Sequence, residues 1–344
     1  MKRLSLAEFA AILGVSKTLV SLVLNGKGDQ HGIKKETQRM VLSKAEELGY
    51  RPNSVARSLR TGKSNLIGLI VPDISNAFYS LFARQLESEA RKAGYRLLIC
   101  SSEENIELEK QLIHILLDEN NVSGMVLAST QRDGAHLKKT LPDDFPIVLM
   151  DRHLKGIELD YVGVDNFKGA YEATKHLHDV GYQRIAAFAI TPDHLSSINE
   201  RIDGFRKAMQ KKNPKAVARV IMIPFEDVRN SVRKEMAHLV APPHSIEAIF
   251  TLNNTITTYT VEYLHEIGLR IPQDVAVLSF DDMDYFRFLT PPVTAVVQPT
   301  EEAGKRSFEL LKERIQKPER KPKNIVLPVE LVIRKSCGSF LKNA

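Results

Sequence analysis

The sequence predicts an α/β protein in which a small helical module precedes a body of parallel β-sheets. The first 64 residues hold three segments of helical periodicity and a strongly basic balance, whereas short apolar runs alternate with amphipathic segments from Asn65 onward. The chain has 344 residues, of which 43% are hydrophobic and 26% charged. These values are typical of folded globular proteins and exclude a largely disordered or fibrous chain.

The sequence also predicts the compartment. No apolar run approaches the ~20 residues of a membrane-spanning helix, and the charged start does not resemble a secretory leader. The chain contains two cysteines, Cys100 and Cys337, which is too few for a disulfide framework or a metal knuckle. We therefore expect a cytoplasmic protein with two structural thiols, without a membrane partner, a metal or a cofactor.

Charge is unevenly distributed along the chain. Residues 1–64 hold twelve Lys and Arg against five Asp and Glu, a formal net charge of +7, while the whole chain carries +6. A compact basic module on a nearly neutral body is typical of proteins that bind the phosphate backbone of nucleic acids, although basic surfaces also occur on other proteins.

Capping residues define the helices of the basic module. Ser5 and Glu8 form a capping box ahead of a first helix over residues 6–13. After a short turn, Ser16 caps a second helix. A third helix over about residues 35–48 supplies the remaining wall of a small core. This is a helix-turn-helix pattern.

The second helix buries one face and leaves a polar face exposed, which fits a major groove. Lys17 can reach guanine acceptors or a phosphate, Thr18 can donate to either, and Leu22 can contact a thymine methyl. The alternative is a helical bundle with a solvated polar face. The candidate DNA-binding residues of this module are Ser5, Ser16, Lys17, Thr18, Ser21, Leu22 and Asn25.

A basic segment, residues 53–64, follows the bundle. Its cap and its glycine stop leave a helix of about two turns, which is marginal alone in water and is expected to fold on DNA. Leu59 then inserts into a base step from the minor groove, unless the segment is a plain linker. The candidate DNA-binding residues of this hinge helix are Asn53, Ala56, Arg57, Leu59 and Arg60.

The repeated βα units of the body imply parallel sheets covered by helices on both faces. Two sets of units predict two similar lobes. The expected domains are a helix-turn-helix domain over 1–52, a hinge helix over 53–64 and a body over 65–344, in which lobe one spans about 65–162 plus a late segment of about 294–322, and lobe two spans about 163–293 plus the C-terminal strands.

Polar residues that follow apolar runs are candidates for ligand binding, because parallel α/β sheets bind ligands beyond the carboxyl ends of their strands. Carboxylate, amide and guanidinium groups make paired hydrogen bonds to hydroxyls, and any stacking platform must be Phe or Tyr since the chain has no Trp. The pattern indicates a polyol site between the lobes, although each residue alone can instead be a helix cap. The candidates are Asp73, Asn76, Phe78, Tyr79, Asp165, Arg201, Asn253 and Asp281.

Residues 6–25, 46–61 and 67–78 resemble the lactose-repressor (LacI/GalR) family of bacterial transcription regulators in order and spacing, and the similarity continues to Arg334. In that family the second helix reads the major groove of the operator and the linker becomes a hinge helix on DNA. The resemblance implies a sequence-specific DNA-binding regulator of transcription, which we expect to be a repressor.

The resemblance assigns roles to individual residues. It implies that Lys17, Thr18 and Leu22 hold base-reading positions and that Leu59 holds the intercalating position. Two departures matter: Leu22 replaces the polar residue often found there, and residues 28–32 lengthen the loop before the third helix.

The body is similar to periplasmic sugar-binding proteins, which implies a two-lobed, periplasmic-binding-protein-like fold with a sugar or sugar derivative as effector. The chain ends soon after Arg334 without the heptad extension of a tetramerising coiled coil, so the expected assembly is a homodimer on a pseudo-palindromic operator. By resemblance, effector contacts fall on Phe78, Tyr79, Asp165, Ser197, Arg201, Asn253 and Asp281.

An enzyme and a transport-type sugar-binding protein are the alternative classes. The sequence has no Gly-rich phosphate loop with its Lys, no HExxH pair and no nucleophile elbow. Asp281, Asp282 and Asp284, or His176 with His178, fit a metal site less well than an acidic ligand loop and a solvated helix face. A transport protein should carry an export signal and no basic bundle. We therefore expect an effector-controlled regulator without enzymatic activity.

Overall fold

The computed structural model describes residues 4–50, 64–212, 218–242 and 245–342. The chain divides into two compact units, Met1–Ser64 and Asn65–Ala344. The predicted hinge-helix residues Asn53, Ala56, Arg57, Leu59 and Arg60 lie outside the described residues.

The first unit is a bundle of three helices, α1 (Leu6–Leu13), α2 (Lys17–Leu24) and α3 (Lys35–Glu47). The hydroxyl of Ser5 accepts a hydrogen bond from the amide of Glu8 (3.2 Å), and the Glu8 carboxylate accepts one from the amide of Ser5 (2.7 Å). This is the predicted capping box. Gly14 ends α1 with a left-handed φ of 64°, which glycine adopts without steric cost.

Each helix contributes to the core of the first unit. Phe9, Val20 and Val41 are fully buried, and the ring of Tyr50 stacks on that of Phe9 with the ring centroids 4.1 Å apart. Because α2 buries Val20 on this side, its opposite face is left to solvent.

The lengthened loop before α3 is held by polar contacts. The carboxylate of Asp29 accepts hydrogen bonds from Lys35 (2.6 Å) and from the amide of Gln38 (2.8 Å). Gln38 also donates to the carbonyl of Ile33 (2.7 Å). These contacts tie the additional residues to the beginning of α3.

Within the described ranges, no single helix is long and apolar enough to span a membrane. The pair α1 and α2 together has the length and composition of a span, with a bend of 102° between the two helices.

The second unit alternates strands with helices. In chain order its elements are β1 (Leu66–Val71), α4 (Ala77–Lys92), β2 (Arg96–Ser101), α5 (Ile106–His114), β3 (Met125–Leu127), α6 (Ala135–Thr140), β4 (Ile147–Met150), β5 (Asp160–Val164), α7 (Asn166–Val180), β6 (Ile185–Ile190), α8 (Ser196–Lys212), β7 (Arg219–Ile223), α9 (Val228–Val240), β8 (Ala248–Thr251), α10 (Asn254–Glu266), β9 (Ala276–Phe280), β10 (Thr294–Val297), α11 (Thr300–Gln316), β11 (Asn324–Leu327) and β12 (Glu330–Val332). A π-helical turn, Ile115–Glu119, extends α5, and short 3-10 turns occur at Phe225–Asp227, Asp284–Arg287 and Ser339–Lys342.

These strands form two six-stranded sheets, and each sheet defines a lobe. The first has the order β11-β5-β4-β3-β1-β2, with parallel pairing throughout. The second has the order β12-β10-β9-β8-β6-β7 and is parallel except for β12, which runs antiparallel to β10. The predicted two-lobed α/β body is confirmed.

The chain passes between the lobes after β5, close to the expected boundary at about residue 162, and again after β10 and after β11, whereas the later boundaries were expected before those two strands. β5 pairs with β4 and belongs to the first lobe. β10 pairs with β9 in the second lobe, although a first-lobe segment was expected from residue 294, and β11 returns to the first lobe beside β5. An apolar run indicates that a strand is buried but not which sheet it joins, because both sheets bury their strands equally.

Helices cover both faces of the first sheet. Ile67 and Leu69 of β1 are fully buried in a core that includes Phe82 of α4. Ile70, which points to the opposite face because strand side chains alternate, packs in a second core with Ile113 of α5. The strands therefore carry continuous apolar runs, and the polar residues that matter lie at their ends.

A buried carboxylate ties the crossover elements of the first lobe together. Asp160, at the start of β5 and 1% exposed, accepts hydrogen bonds from Arg314 of α11 (2.9 Å), from Arg320 (2.7 and 2.8 Å) and from the amide of Lys323 (2.8 Å). The ion pairs join β5 to the connection between α11 and β11.

We expect Asp160→Asn to destabilise the second unit by about 3–5 kcal/mol, because it leaves two largely buried guanidinium groups without their carboxylate. Denaturant unfolding followed by circular dichroism measures the change. The matched control is Glu87→Gln, which removes an exposed ion pair to Arg91 (3.1 Å) and should cost about 0–1 kcal/mol. Equal losses in the two variants would contradict the structural role of Asp160.

Candidate functional site

The polar face of α2 is the first candidate site. Lys17 and Thr18 are exposed at its N-terminal end, and Ser21 and Leu22 are half-buried one turn further along. These four residues lie on adjacent turns of one helix face, so the structure brings together the predicted base-reading positions.

Other predicted residues of this unit act as caps. The Ser16 hydroxyl accepts a hydrogen bond from the amide of Leu19 (3.2 Å), and the Asn25 side-chain amide donates to the carbonyl of Ser21 (2.6 Å). Together with the Ser5 capping box, these contacts hold the helix ends in place. Ser16 and Asn25 flank the two ends of α2.

The second candidate site is a cavity of about 310 Å³ between the two lobes. It lies where polar residues follow the carboxyl ends of β1, β4, β8 and β9, as expected for parallel α/β sheets. Its lining includes the predicted residues Asp73, Asn76, Phe78, Tyr79, Ser197, Arg201, Asn253 and Asp281.

Asp165 lies outside this cavity, which corrects its predicted role. Its carboxylate accepts a hydrogen bond from the amide of Lys168 (2.9 Å) and so forms the N-cap of α7. β5 is separated from β1 by two strands in the first sheet, which places Asp165 beside β11 and away from Asp73 and Asn76. A polar residue after a strand can therefore serve as a helix cap alone.

Arg201 is the central cation of the cavity. Its side chain is 4% exposed and lies 3.5 Å from the carboxylate of Asp281 in its own lobe and 3.9 Å from that of Asp151 in the first lobe. It donates to the carbonyl of Leu252 (2.8 Å) and to the side chain of Asn166 (2.8 Å), and it stacks on the ring of Phe280. These contacts hold the guanidinium in one orientation.

Asp281 has a constrained backbone and a buried carboxylate. Its φ is 74°, in the left-handed region, and its carboxylate accepts a hydrogen bond from Gln298. Burial raises the pKa of Asp281 above its ordinary value, while Arg201 and Gln298 favour the charged form.

Sequence analysis missed six charged residues that line the cavity: Glu104, Asp151 and Arg152 in the first lobe, and Glu226, Asp227 and Arg229 in the second. Arg152 donates two hydrogen bonds to Glu104 (2.6 and 2.8 Å), and both side chains are almost fully buried. Burial alone lowers the pKa of Arg152, but the Glu104 carboxylate raises it above its ordinary value. Asp151 directly follows β4, so the strand-end rule that selected Asp73 also applies to it.

Asp151 is positioned from both lobes. Its Oδ2 atom accepts hydrogen bonds from Tyr79 (3.0 Å) and Ser197 (3.4 Å). Burial raises the pKa of the Tyr79 phenol well above its ordinary value, which keeps it a donor. Asp151 Oδ1 and Arg152 Nε are buried and have no hydrogen bond to the described part of the chain. Buried polar atoms in this state are suited to a ligand with hydroxyl groups.

Aromatic rings and amides line the rest of the cavity. Phe78, Phe225 and Tyr259 supply apolar faces, and Asn253 caps α10 by accepting a hydrogen bond from the amide of Thr255 (2.8 Å). An aromatic face beside paired polar groups is typical of carbohydrate-sized sites.

The residues weighed as metal ligands have other partners. His178 contacts the carbonyl of Tyr182 (3.0 Å), and His176 contacts the thiol of Cys337 (3.3 Å). Asp282 accepts hydrogen bonds from Arg334. Among the described residues, no group of three or more His, Cys, Asp or Glu side chains could hold a metal ion.

Comparison with known proteins identifies the class. A family model described as a periplasmic binding protein-like domain matches residues 174–337. The HTH-type transcriptional regulator KdgR of Bacillus subtilis (strain 168) is 30% identical over 338 residues, covering 96% of this chain and 97% of that protein. The HTH-type transcriptional regulator PtxS of Pseudomonas putida is 31% identical over 336 residues, covering 97% and 96%.

A solved structure matches nearly the full length of the chain. The complex of the transcriptional regulator CelR with cellobiose has a TM-score of 0.70 and 27% identity, covering 97% of this chain and all of that one. Together with these relatives, the helical module and the two-lobed body place the chain among DNA-binding regulators of transcription. The chain belongs to the LacI family of HTH-type transcriptional regulators.

We expect Lys17→Ala to weaken DNA binding and to reduce the slope of log affinity against log salt by about one, because Lys17 is the exposed cation at the start of α2. Gel-shift titration at several salt concentrations, on a duplex selected from a random library, measures both effects. Lys138→Ala, which removes an exposed lysine of the second unit, is the control. An unaltered slope in Lys17→Ala would exclude Lys17 from the DNA contact.

Proposed function

We propose that this regulator is a repressor whose affinity for its operator is set by a sugar or sugar derivative bound in the cleft between the lobes. The observation that carries the proposal is the position of Arg201, whose guanidinium faces Asp281 of one lobe and Asp151 of the other in a single cavity. The relative CelR was solved with cellobiose, which supports a sugar as the class of effector.

A ligand in this position acts by shifting a population. It gains hydrogen bonds from both lobes at once only when the lobes are close together, so it binds the closed arrangement more tightly. The free-energy difference between its affinities for the two arrangements is the coupling available to change DNA binding. The contact of Ser197 to Asp151 joins the same two lobes and responds to the same movement, while Tyr79 holds Asp151 within the first lobe.

On the DNA side, we assign base contacts to Lys17, Thr18 and Leu22. Phosphate contacts fall to Ser5, Ser16, Ser21 and Asn25, since short polar side chains at helix ends commonly bind phosphate oxygens. Asn53, Ala56, Arg57, Leu59 and Arg60 remain proposed contacts of the linker, with Leu59 as the minor-groove wedge. We therefore assign the protein to the cytoplasm, where bacterial DNA lies.

A homodimer supplies the second half-site contact. Exposed apolar side chains occur around the start of α4, at Ile74 and Leu81, and around the Asp284–Arg287 turn, at Tyr285 and Phe288. These segments are adjacent, because Asn254 bonds both to Asn76 (3.0 and 3.1 Å) and to Met283 (3.1 Å). Phe288 is 80% exposed. An apolar surface of this kind fits an isologous two-fold interface, which presents two α2 helices to a pseudo-palindromic operator.

We expect Phe288→Glu to weaken dimer formation on the order of tenfold or more, because it puts a charge into an apolar interface. Sedimentation velocity over a range of concentrations measures the dissociation constant. Phe167→Glu, at an exposed phenylalanine of α7, is the matched control and should leave the dimer intact. If Phe167→Glu weakened the dimer more than Phe288→Glu, the interface would instead include α7.

We expect Arg201→Ala to lower ligand affinity roughly ten- to hundredfold and to remove the ligand's effect on operator binding, while operator affinity without ligand persists. A panel of mono- and disaccharides and their phosphates, tested by isothermal titration, first identifies the ligand. Arg206→Ala, at an exposed arginine of the same helix, controls for α8, and Ser197→Ala tests the site with a milder change. Undiminished ligand affinity in Arg201→Ala would contradict the assignment of the cleft.

A further inference from the structure

Acidic side chains outnumber basic side chains in the cleft. Three arginines line it, Arg152, Arg201 and Arg229. Six carboxylates line it, which gives a formal excess of three negative charges. The cleft remains negatively charged even when Asp281 is protonated. The carboxylates are Asp73, Glu104, Asp151, Glu226, Asp227 and Asp281.

Each of these arginines already has an anionic partner. Glu104 accepts two hydrogen bonds from Arg152, and Glu262 accepts two from Arg229 (2.7 and 3.0 Å). Arg201 faces Asp281 at 3.5 Å. An anionic ligand could reach only the donors that these pairs leave free, such as Arg152 Nε, and would lie there beside carboxylates that repel it.

Two of the helix N-termini that face the cleft, those of α4 and α10, are capped by side chains. Such ends commonly hold phosphate groups, because their amides are free. Here the Asn76 side chain accepts a hydrogen bond from the amide of Phe78 at α4 (3.0 Å), and Asn253 accepts one at α10. The turn that leads into α9 carries the carboxylates of Glu226 and Asp227 instead.

In contrast, the cleft presents a buried hydrogen-bond acceptor to a ligand. The Oδ1 atom of Asp151 is buried among cavity-lining residues and accepts no hydrogen bond within the described ranges. Its other oxygen is held by Tyr79 and Ser197, so the carboxylate has a fixed orientation. A ligand hydroxyl can donate to it, whereas a phosphate or carboxylate oxygen would be repelled.

We propose that the cleft takes an uncharged, polyhydroxylated sugar and rejects the phosphorylated and carboxylated derivatives of the same sugar. This specificity rests on the proposed function, since it concerns the effector of that cleft. The carboxylates select against negative charge, and the paired arginines orient hydroxyl groups through their remaining donors.

Matched sets of ligands test the proposal by isothermal titration of the full chain. The sets are glucose, glucose 6-phosphate and glucuronate; ribose and ribose 5-phosphate; and cellobiose with cellobionate. We expect a neutral member to bind and its anionic derivatives to bind at least about tenfold more weakly. An anionic member that binds as tightly as its parent sugar overturns the charge selection but leaves the sugar-controlled function standing. Failure of every member to bind overturns both.

Charge-removing variants test the cause. Glu226→Gln/Asp227→Asn removes two exposed carboxylates of the cavity rim, and Asp118→Asn/Glu119→Gln removes two neighbouring exposed carboxylates elsewhere in the second unit. Only the first variant should raise the affinity of the phosphorylated sugar relative to that of the parent sugar, by about three- to tenfold at low salt and less at high salt. The same affinity ratio in both variants overturns the electrostatic explanation.

Discussion

A buried guanidinium between two carboxylates from different lobes is the interaction on which the site depends. Burying the Arg201 guanidinium at 4% exposure is costly without an opposite charge, and its partners Asp281 and Asp151 directly follow β9 and β4. The charge balance of the cleft is therefore tied to how closely the lobes approach. Phe280 and the Leu252 carbonyl fix the guanidinium on the second lobe, so any relative movement changes mainly its distance to Asp151.

The sheet topology creates this arrangement. Because nearly all strand pairs are parallel, the polar residues that follow the strands of one sheet gather at one edge, and the two lobes bring these edges together around the cavity. The chain crosses between lobes after β5, after β10 and after β11. Near these crossings, Asp160 of β5 accepts hydrogen bonds from Arg314 and Arg320 and so joins β5 to α11 and the segment that follows it.

Local sequence patterns predicted the secondary-structure elements well but the residues of the cleft only in part. Capping at Ser5 and Gly14 depends on residues three or four positions apart, so sequence alone predicted it. Asp281 was predicted from its position after a strand and Arg201 from its position near the start of a helix. The pairing of Arg152 was not predicted, since Glu104 lies 48 residues away along the chain. Asp165 also follows a strand, yet it caps α7. The strand-end rule does not state where a strand lies in the sheet, and β5 is separated from β1 by two strands.

The sequence by itself determined the basic three-helix module, the alternation of apolar runs with amphipathic helices, and the family, because each depends on short-range periodicity or on motifs with fixed spacing. Tertiary structure alone decided that β10 joins the second sheet and β11 the first, and that three arginines of the cleft are already paired with carboxylates. These features come from contacts between residues distant along the chain, and burial, which sets the strength of such charge pairs, exists only once the chain has folded.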